Sequence, residues 1–190
     1  PIPFPKENPM TLARPIAISL VVALLSVACS GEDATTASSN PGGSGDPSAV
    51  TFATASLADG ESLPGIGEVK RAAAAGDTVR FVARVGGRAD CFVPAAAVMV
   101  VADPVLEDCI QKGDGCPKPW DYCCEPRERI KANTATVRVV DASGLPIAET
   151  MEGMGGIAPL KTVEILGTVA ETGPDGLFVV DAKRIFVVPG

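Results

Sequence analysis

The cysteines are the residues of this chain whose type and spacing could do chemistry. Four of them stand close together in the middle of the sequence and a fifth lies upstream: Cys109, Cys116, Cys123, Cys124 and Cys91. Thiols in proteins form disulfides, bind soft metal ions as thiolates or carry out redox catalysis. The chain has no histidine, which excludes the commonest general base, the usual serine and cysteine triads and every histidine-containing metal site.

Structural disulfides are the preferred interpretation, and all five cysteines are candidates. Residues 10–28 predict a signal peptide for export. Cysteine-rich loops of exported proteins are normally cross-linked in an oxidising compartment. Because five is an odd number, one thiol is left over or pairs between chains, and the connectivity stays open. Cys109 and Cys116 can close a short loop, and Cys91 can attach the segment to the rest of the fold.

A four-thiolate zinc or iron–sulfur site is the main alternative. The C-x6-C-x6-C-C spacing of the four clustered cysteines contains no C-x2-C knuckle. Thiolates without histidine are also vulnerable to oxidation outside the cytoplasm. The absence of a C-x-x-C motif disfavours thiol redox catalysis further. The sequence therefore predicts no metal, no cofactor and no catalytic residue.

The chain's only tryptophan and only tyrosine, Trp120 and Tyr122, lie among these cysteines. Packing of the loop is the favoured role, because aromatic side chains bury much area, and a recognition platform for a ligand is the alternative. We expect the nearby carboxylates to be solvated: Glu107, Asp108, Asp114, Asp121, Glu125 and Glu128. The run Cys-Pro-Lys-Pro-Trp-Asp-Tyr-Cys-Cys at 116–124 resembles a motif of envelope lipoproteins from planctomycete-type bacteria, a resemblance that implies no particular activity.

The N-terminal region has the pattern of an export signal. Residues 1–9 are interpreted as a spurious upstream extension that precedes Met10. Residues 10–28 predict a signal peptide, with Arg14 ahead of an apolar run at 16–27. That run is shorter than the roughly 20 apolar residues of a transmembrane helix.

The end of this segment, Leu-Ser-Val-Ala-Cys at 25–29, resembles a bacterial lipobox. In that family the cysteine is acylated and becomes the first mature residue, so the resemblance implies that a lipid on Cys29 attaches the chain to the membrane. Because Ser30 rather than aspartate follows, the resemblance implies the outer membrane, with the protein facing the periplasm. Residues 29–50 are rich in Ser, Gly, Thr, Asp and Pro, which predicts a flexible lipidated tether.

The remaining chain alternates between apolar and polar residues in the manner of strands. Residues 51–75 predict a lead-in with a short helix at 68–75. The period-two pattern then predicts five strands, at 78–85, 92–102 with a bend at Pro94, 134–141, 161–171 and 177–188. Gly167, inside the fourth strand, indicates a bulge or a barrel corner.

These elements predict an all-β fold: a small five-stranded OB-like barrel over residues 76–190, with a short N-terminal helix and a cysteine-rich loop insertion at 103–128. The sequences at 76–81, 163–169 and 177–182 resemble the first, fourth and fifth strands of bacterial OB domains. Residues 145–159, where OB-folds usually carry a helix, predict a helical turn or a loop. A small open β-sandwich is the alternative fold.

Charge and fold together favour a non-catalytic binding or scaffold module in the cell envelope, whose partner is an envelope protein or a small ligand. The net charge of -7 repels phosphate backbones and strand aromatics are sparse, so nucleic acid is disfavoured. Arg80, Arg84 and Arg138 form a basic patch and, with Trp120 and Tyr122, are the candidate binding residues. The alternative is an envelope protein that handles metal or thiol redox through the cysteine-rich loop.

Overall fold

The computed structural model describes residues 50–190. The signal peptide, the lipidation of Cys29 and nearly all of the tether concern residues outside this range. In the part of the chain that is described, no helix has both the length and the apolar character needed to cross a bilayer.

Five strands close into a barrel within the described residues, which confirms the predicted fold class. In chain order the elements are β1 (Thr51–Phe52), α1 (Ile66–Ala72), β2 (Thr78–Val85), β3 (Val98–Ala102), α2 (Arg127–Ala132), β4 (Thr134–Arg138), β5 (Thr162–Thr172) and β6 (Phe178–Val187), with 3-10 turns at Pro119–Asp121, Met154–Gly156 and Pro174–Gly176. The barrel strands follow the order β2-β3-β4-β6-β5, and β5 pairs with β2 to close the circle. Neighbours are antiparallel except β4 and β6, which are parallel. The short β1 adds to β6 in parallel.

The alternating residues of β2 show why this sequence forms a barrel wall. Phe81, Ala83 and Val85 are fully buried, whereas Arg80 and Arg84, at the alternate positions of the strand, face outward. Successive side chains of a strand point to opposite faces, so a period of two places every second residue in the core. The apolar residues of the other strands complete a single core inside the barrel.

Gly167 marks a bulge in β5, as the sequence predicts. The register between β5 and β6 shifts between Leu166 and Gly167. A Cβ atom at Gly167 would stand 2.5 Å from the carbonyl oxygen of Asp181, so a side chain would push the two strands apart. The bulge bends β5, and the glycine lets it stay paired with β6 around the curve.

The second predicted strand is shorter than expected. Phe92 forms an isolated antiparallel bridge with Met99, and the backbone N–H of Val93 donates to the carbonyl of Val98 at 3.1 Å. Residues 92–93 therefore fold back beside β3 instead of continuing into it. Pro94 lies in this tight turn rather than at a bend within one strand.

The helical parts differ from the sequence prediction in small ways. The N-terminal helix begins at Ile66 and ends at Ala72, slightly earlier than predicted. Residues 145–159 contain a single 3-10 turn, within the range the sequence allows. The sequence did not predict α2 or β1, because elements of six and two residues are too short to show a periodic pattern of apolar residues.

Candidate metal centre

The cysteine-rich insertion begins where β3 ends and is tied to the fold at its first residue. Asp103 is buried, and its Oδ2 accepts a hydrogen bond of 2.8 Å from the N–H of Gly67 in the first turn of α1. The N–H of Asp103 donates to the carbonyl of Asn133, just before β4, at 2.8 Å. The two ends of the insertion therefore lie side by side at one end of the barrel.

A largely buried ion pair joins the barrel wall to the insertion. The NH1 group of Arg84 on β2 donates to Oδ2 of Asp108 at 2.5 Å, and the two side chains are only 20% and 6% exposed. The other oxygen, Oδ1, accepts the N–H groups of Ile110 and Gln111 at 2.9 Å each. Hydrogen bonds to ionised groups are the stronger kind, so Asp108 holds the backbone around Cys109 against the barrel.

The turn Pro119–Asp121 makes a second contact with the barrel. The N–H of Gly87 donates to the carbonyl of Trp120 at 2.8 Å, and Nε1 of Trp120 donates to the carbonyl of Ala89 at 3.1 Å. A Cβ atom at Gly86, where φ is +147°, would stand 2.6 Å from that Trp120 carbonyl oxygen. Glycine at this position therefore permits the close approach.

The two candidate aromatic residues have different surroundings. Tyr122 is fully buried beside Leu106 and Ala102 in a small cluster of its own, and burial raises its pKa to about 12. Trp120 is half-buried and lines a crevice of about 340 Å³ with Phe92. Tyr122 is therefore a packing residue, while Trp120 keeps one open side.

The sulfur atoms of Cys109, Cys116, Cys123 and Cys124 all lie within 4.8 Å of one another. The Sγ–Sγ distances are 3.6 Å for Cys109–Cys123, 3.7 Å for Cys109–Cys124 and 3.8 Å for Cys116–Cys124. They are 3.6 Å for Cys123–Cys124 and 3.1 Å for Cys116–Cys123. A tetrahedral thiolate site with a metal–sulfur distance of about 2.3 Å places its sulfurs about 3.8 Å apart. Four of these five separations lie near that value, and the Cys116–Cys123 separation is shorter.

The structure departs from the disulfide interpretation. Cys91, Cys109, Cys116, Cys123 and Cys124 are all free, and the shortest of these Sγ–Sγ distances, 3.1 Å, is well beyond the roughly 2.05 Å of a disulfide. The physical reason is the compactness of the group: four sulfurs converge on one point instead of separating into two pairs. The sequence placed the metal alternative second because it lacks a C-x2-C knuckle, but the fold brings the four cysteines together without one.

Cys91 is not part of this group. It lies in the main apolar core of the barrel and is only 3% exposed. Burial raises the pKa of its thiol, which keeps it protonated and unreactive at neutral pH. Of the five cysteines in the described residues, four therefore converge on one point and the fifth packs in the core, which accounts for the odd number.

The surroundings of Cys123 and Cys124 raise the pKa values of both thiols. Hydrogen bonding with Cys116 and with Asp121 raises the pKa of Cys123 to about 12. A hydrogen bond with Asp114 is the main reason that the pKa of Cys124 is raised as well. A thiol beside a carboxylate is hard to deprotonate, because its thiolate would place a second negative charge next to the first. A bound divalent cation has the opposite effect and stabilises the thiolates.

A buried carboxylate secures the far end of the insertion. The side chain of Glu125 is fully buried, with Lys112 Nζ 3.0 Å from Oε1 and Arg129 NH1 2.8 Å from Oε2. The N–H of Glu125 also donates to the carbonyl of Tyr122 at 2.9 Å. Together with Asp108, this residue corrects the expectation that the carboxylates of the segment are solvated, because Asp108 pairs with Arg84 of the barrel and Glu125 pairs with Lys112 and Arg129.

The three arginines of the predicted basic patch are all ion-paired. Arg80 lies 2.6 Å from Asp59 and Arg138 lies 2.7 Å from Asp181, while Arg84 is bound to Asp108 as described. Arg84 lies opposite one end of β3 and Arg138 opposite the other. The three therefore do not form one cluster of free positive charge, and the patch offers little to an anionic ligand.

The role of Asp108 carried no signal in the sequence, because its partner Arg84 lies 24 residues away on another element. Glu125 and Arg129 do have the i,i+4 spacing of a helical ion pair, which is a signal that the sequence carries. No family model, curated protein or solved structure matched this chain. The geometry of the described residues is therefore what bears on function.

Proposed function

We propose that this chain is a non-catalytic binding or scaffold module, an OB-like barrel whose cysteine-rich insertion is held in shape by one zinc ion. The observation that carries the proposal is the tetrahedral spacing of the sulfurs of Cys109, Cys116, Cys123 and Cys124. Structural zinc sites are closed and four-coordinate. Four thiolates leave no position for water or substrate, so the ion would hold the insertion together rather than perform chemistry.

The scarcity of apolar contacts in the insertion supports a metal. Leu106 and Tyr122 are fully buried, but Val105 and Ile110 are 56% and 64% exposed. Ordering the backbone costs about 1–2 kcal/mol per residue, whereas burying one large apolar side chain contributes about 1.5–3 kcal/mol. Structural zinc binding supplies about 10–16 kcal/mol in small zinc domains, which is several times what either buried side chain contributes.

Metal analysis of protein purified under reducing conditions tests the proposal. We expect one zinc ion per chain, and Co²⁺ in its place should give the absorption spectrum of a tetrahedral thiolate complex. Cys109→Ser should lower zinc affinity by more than the roughly 10–100-fold typical of outer-shell changes. The matched control is Cys91→Ser, which should leave zinc affinity unchanged.

Three results contradict the proposal. A reduced protein that takes up no zinc would remove the metal site. Equal loss of affinity in Cys91→Ser and Cys109→Ser would show that the four converging sulfurs are not the ligands. Iron at these sulfurs in freshly isolated protein would contradict the assignment of zinc.

A second candidate function is metal handling, and the uneven exposure of the four cysteines favours it. Cys109 is buried, but Cys116 is half-buried and Cys123 is exposed, so an incoming ligand can reach the ion from one side. The rate of zinc transfer to a strong chelator separates the two functions. Transfer over hours fits a structural ion, and transfer within seconds fits a protein that passes its metal on.

We also propose, from the N-terminal sequence alone, that a lipid on Cys29 anchors this module to the envelope and that its partner is another envelope protein or a small ligand. The support is the lipobox-like sequence at residues 25–29. Cys29→Ser should move the protein from the membrane fraction to the soluble fraction. A variant that stays in the membrane and is processed normally contradicts the anchor.

A further inference from the structure

We propose that Cys116 and Cys123 form an oxidation site, at which a peroxide converts the two thiolates into a disulfide and thereby releases the zinc ion. The inference rests on the proposed function, because zinc is the ion released. It goes further by assigning different roles to the four ligands and by naming the class of reagent that acts on them.

Distance selects this pair. The sulfurs of Cys116 and Cys123 are 3.1 Å apart, whereas the other separations given above run from 3.6 to 3.8 Å. Bond formation requires an approach to about 2.05 Å, and this pair has the least distance to close. A bond between the neighbours Cys123 and Cys124 would need a strained ring across one peptide unit.

Exposure selects the first sulfur to react. Cys123 is the exposed member of the group, Cys116 and Cys124 are both half-buried, and Cys109 is buried. Susceptibility to oxidation follows thiolate character and access to solvent. A small oxidant therefore meets Cys123 first and finds Cys116 as the nearest second sulfur.

The chemistry balances with hydrogen peroxide as the oxidant. The thiolate of Cys123 attacks one peroxide oxygen, the O–O bond breaks, hydroxide leaves, and a sulfenic acid forms. The thiolate of Cys116 then attacks that sulfur, the disulfide forms and a second hydroxide leaves. Two thiolates lose two electrons, peroxide gains them, and Zn²⁺ goes into solution because two ligands are too few to hold it.

The remaining ligands form a second, slower pair. Cys109 and Cys124 lie 3.7 Å apart, and buried Cys109 shields their contact from solvent. Cys91 lies in the barrel core and takes no part. The order of oxidation is therefore Cys116–Cys123 first and Cys109–Cys124 second.

The test uses the full chain with Cys29→Ser and Cys91→Ser, so that only the four clustered thiols remain. The zinc-loaded protein is treated with one equivalent of hydrogen peroxide, zinc release is followed with a chromogenic chelator, and disulfides are mapped by mass spectrometry. We expect one zinc ion released per disulfide formed, a bond between Cys116 and Cys123, and alkylatable thiols at Cys109 and Cys124. Dithiothreitol and added zinc should restore binding.

Three results would overturn the inference: zinc retained after the bond has formed, a first disulfide that includes Cys109, or overoxidation of single cysteines without a bond. Failure of the proposed function is recognised separately, because the reduced protein then binds no zinc before any oxidant is added. In that case the same mapping, done on the metal-free protein, still decides whether Cys116 and Cys123 pair first.

Discussion

Phe81 in β2 and Cys109 in the insertion are both fully buried, but their surroundings differ. Phe81 lies among apolar side chains contributed by every strand of the barrel. Cys109 lies among three other sulfurs and the carboxylate of Asp121. Burial of apolar area stabilises the first region, whereas the second contains polar groups that, in our proposal, a zinc ion holds together.

A small barrel can in this way carry an insertion that buries few apolar side chains of its own. The rest of the fold holds the insertion at three points, where Gly67 binds Asp103, Arg84 binds Asp108 and Gly87 binds Trp120. In our proposal, the order between these points depends on zinc at the four cysteines. Substitutions in one region therefore test whether the other region responds.

The largest effect is expected from Phe81→Ala. Truncation of a buried phenylalanine costs about 3–5 kcal/mol of unfolding free energy. Because the barrel core does not include the four clustered cysteines, the loss should be equal in zinc-loaded and zinc-free protein, as measured by urea denaturation. A loss that appears in only one of the two forms would show that the barrel and the insertion are not independent.

Arg84→Met should have a smaller effect that depends on the metal. It leaves the nearly buried carboxylate of Asp108 without its cation, which costs about 3 kcal/mol in a buried pair. In zinc-free protein the loosened insertion lets Asp108 return to water, so the cost should shrink. Thermal denaturation of both forms measures the difference.

Arg80→Met is the matched control for that substitution. Its partner Asp59 is 82% exposed, and exposed ion pairs contribute at most about 1 kcal/mol. The control should therefore give a small loss that is the same with and without zinc. A cost for Arg84→Met that is equally independent of zinc would contradict the role of Asp108 in the insertion.

The smallest effect is a shift in the reactivity of Cys91. Because burial raises its pKa, less thiolate is present at a given pH, so its alkylation by iodoacetamide should be slow and should accelerate only at higher pH than for an ordinary thiol. Zinc removal should raise this rate only slightly, because it loosens Trp120 on one side of the crevice that Cys91 also lines, whereas denaturant should raise it sharply. A rate after zinc removal as high as the rate in denaturant would place Cys91 in the insertion instead of the barrel core.

The sequence predicted the barrel better than the site for a physical reason. The alternation of Val79 to Val85 and the bulge at Gly167 are local patterns, and the fold obeys them. The convergence of the four cysteines depends on contacts such as Asp103 with Gly67 and Arg84 with Asp108, which join residues far apart in sequence. Spacing alone could not decide between disulfides and a metal.

Hydrogen exchange on zinc-loaded and zinc-free reduced protein tests the central claim most directly. The account predicts that chelation of zinc removes protection from amides between Val105 and Glu125, while amides of β2, β5 and β6 keep theirs. The emission of Trp120, the chain's only tryptophan, should change in parallel because its turn lies in this segment. Equal protection of the insertion with and without zinc, or loss of protection in the barrel strands as well, would contradict the account.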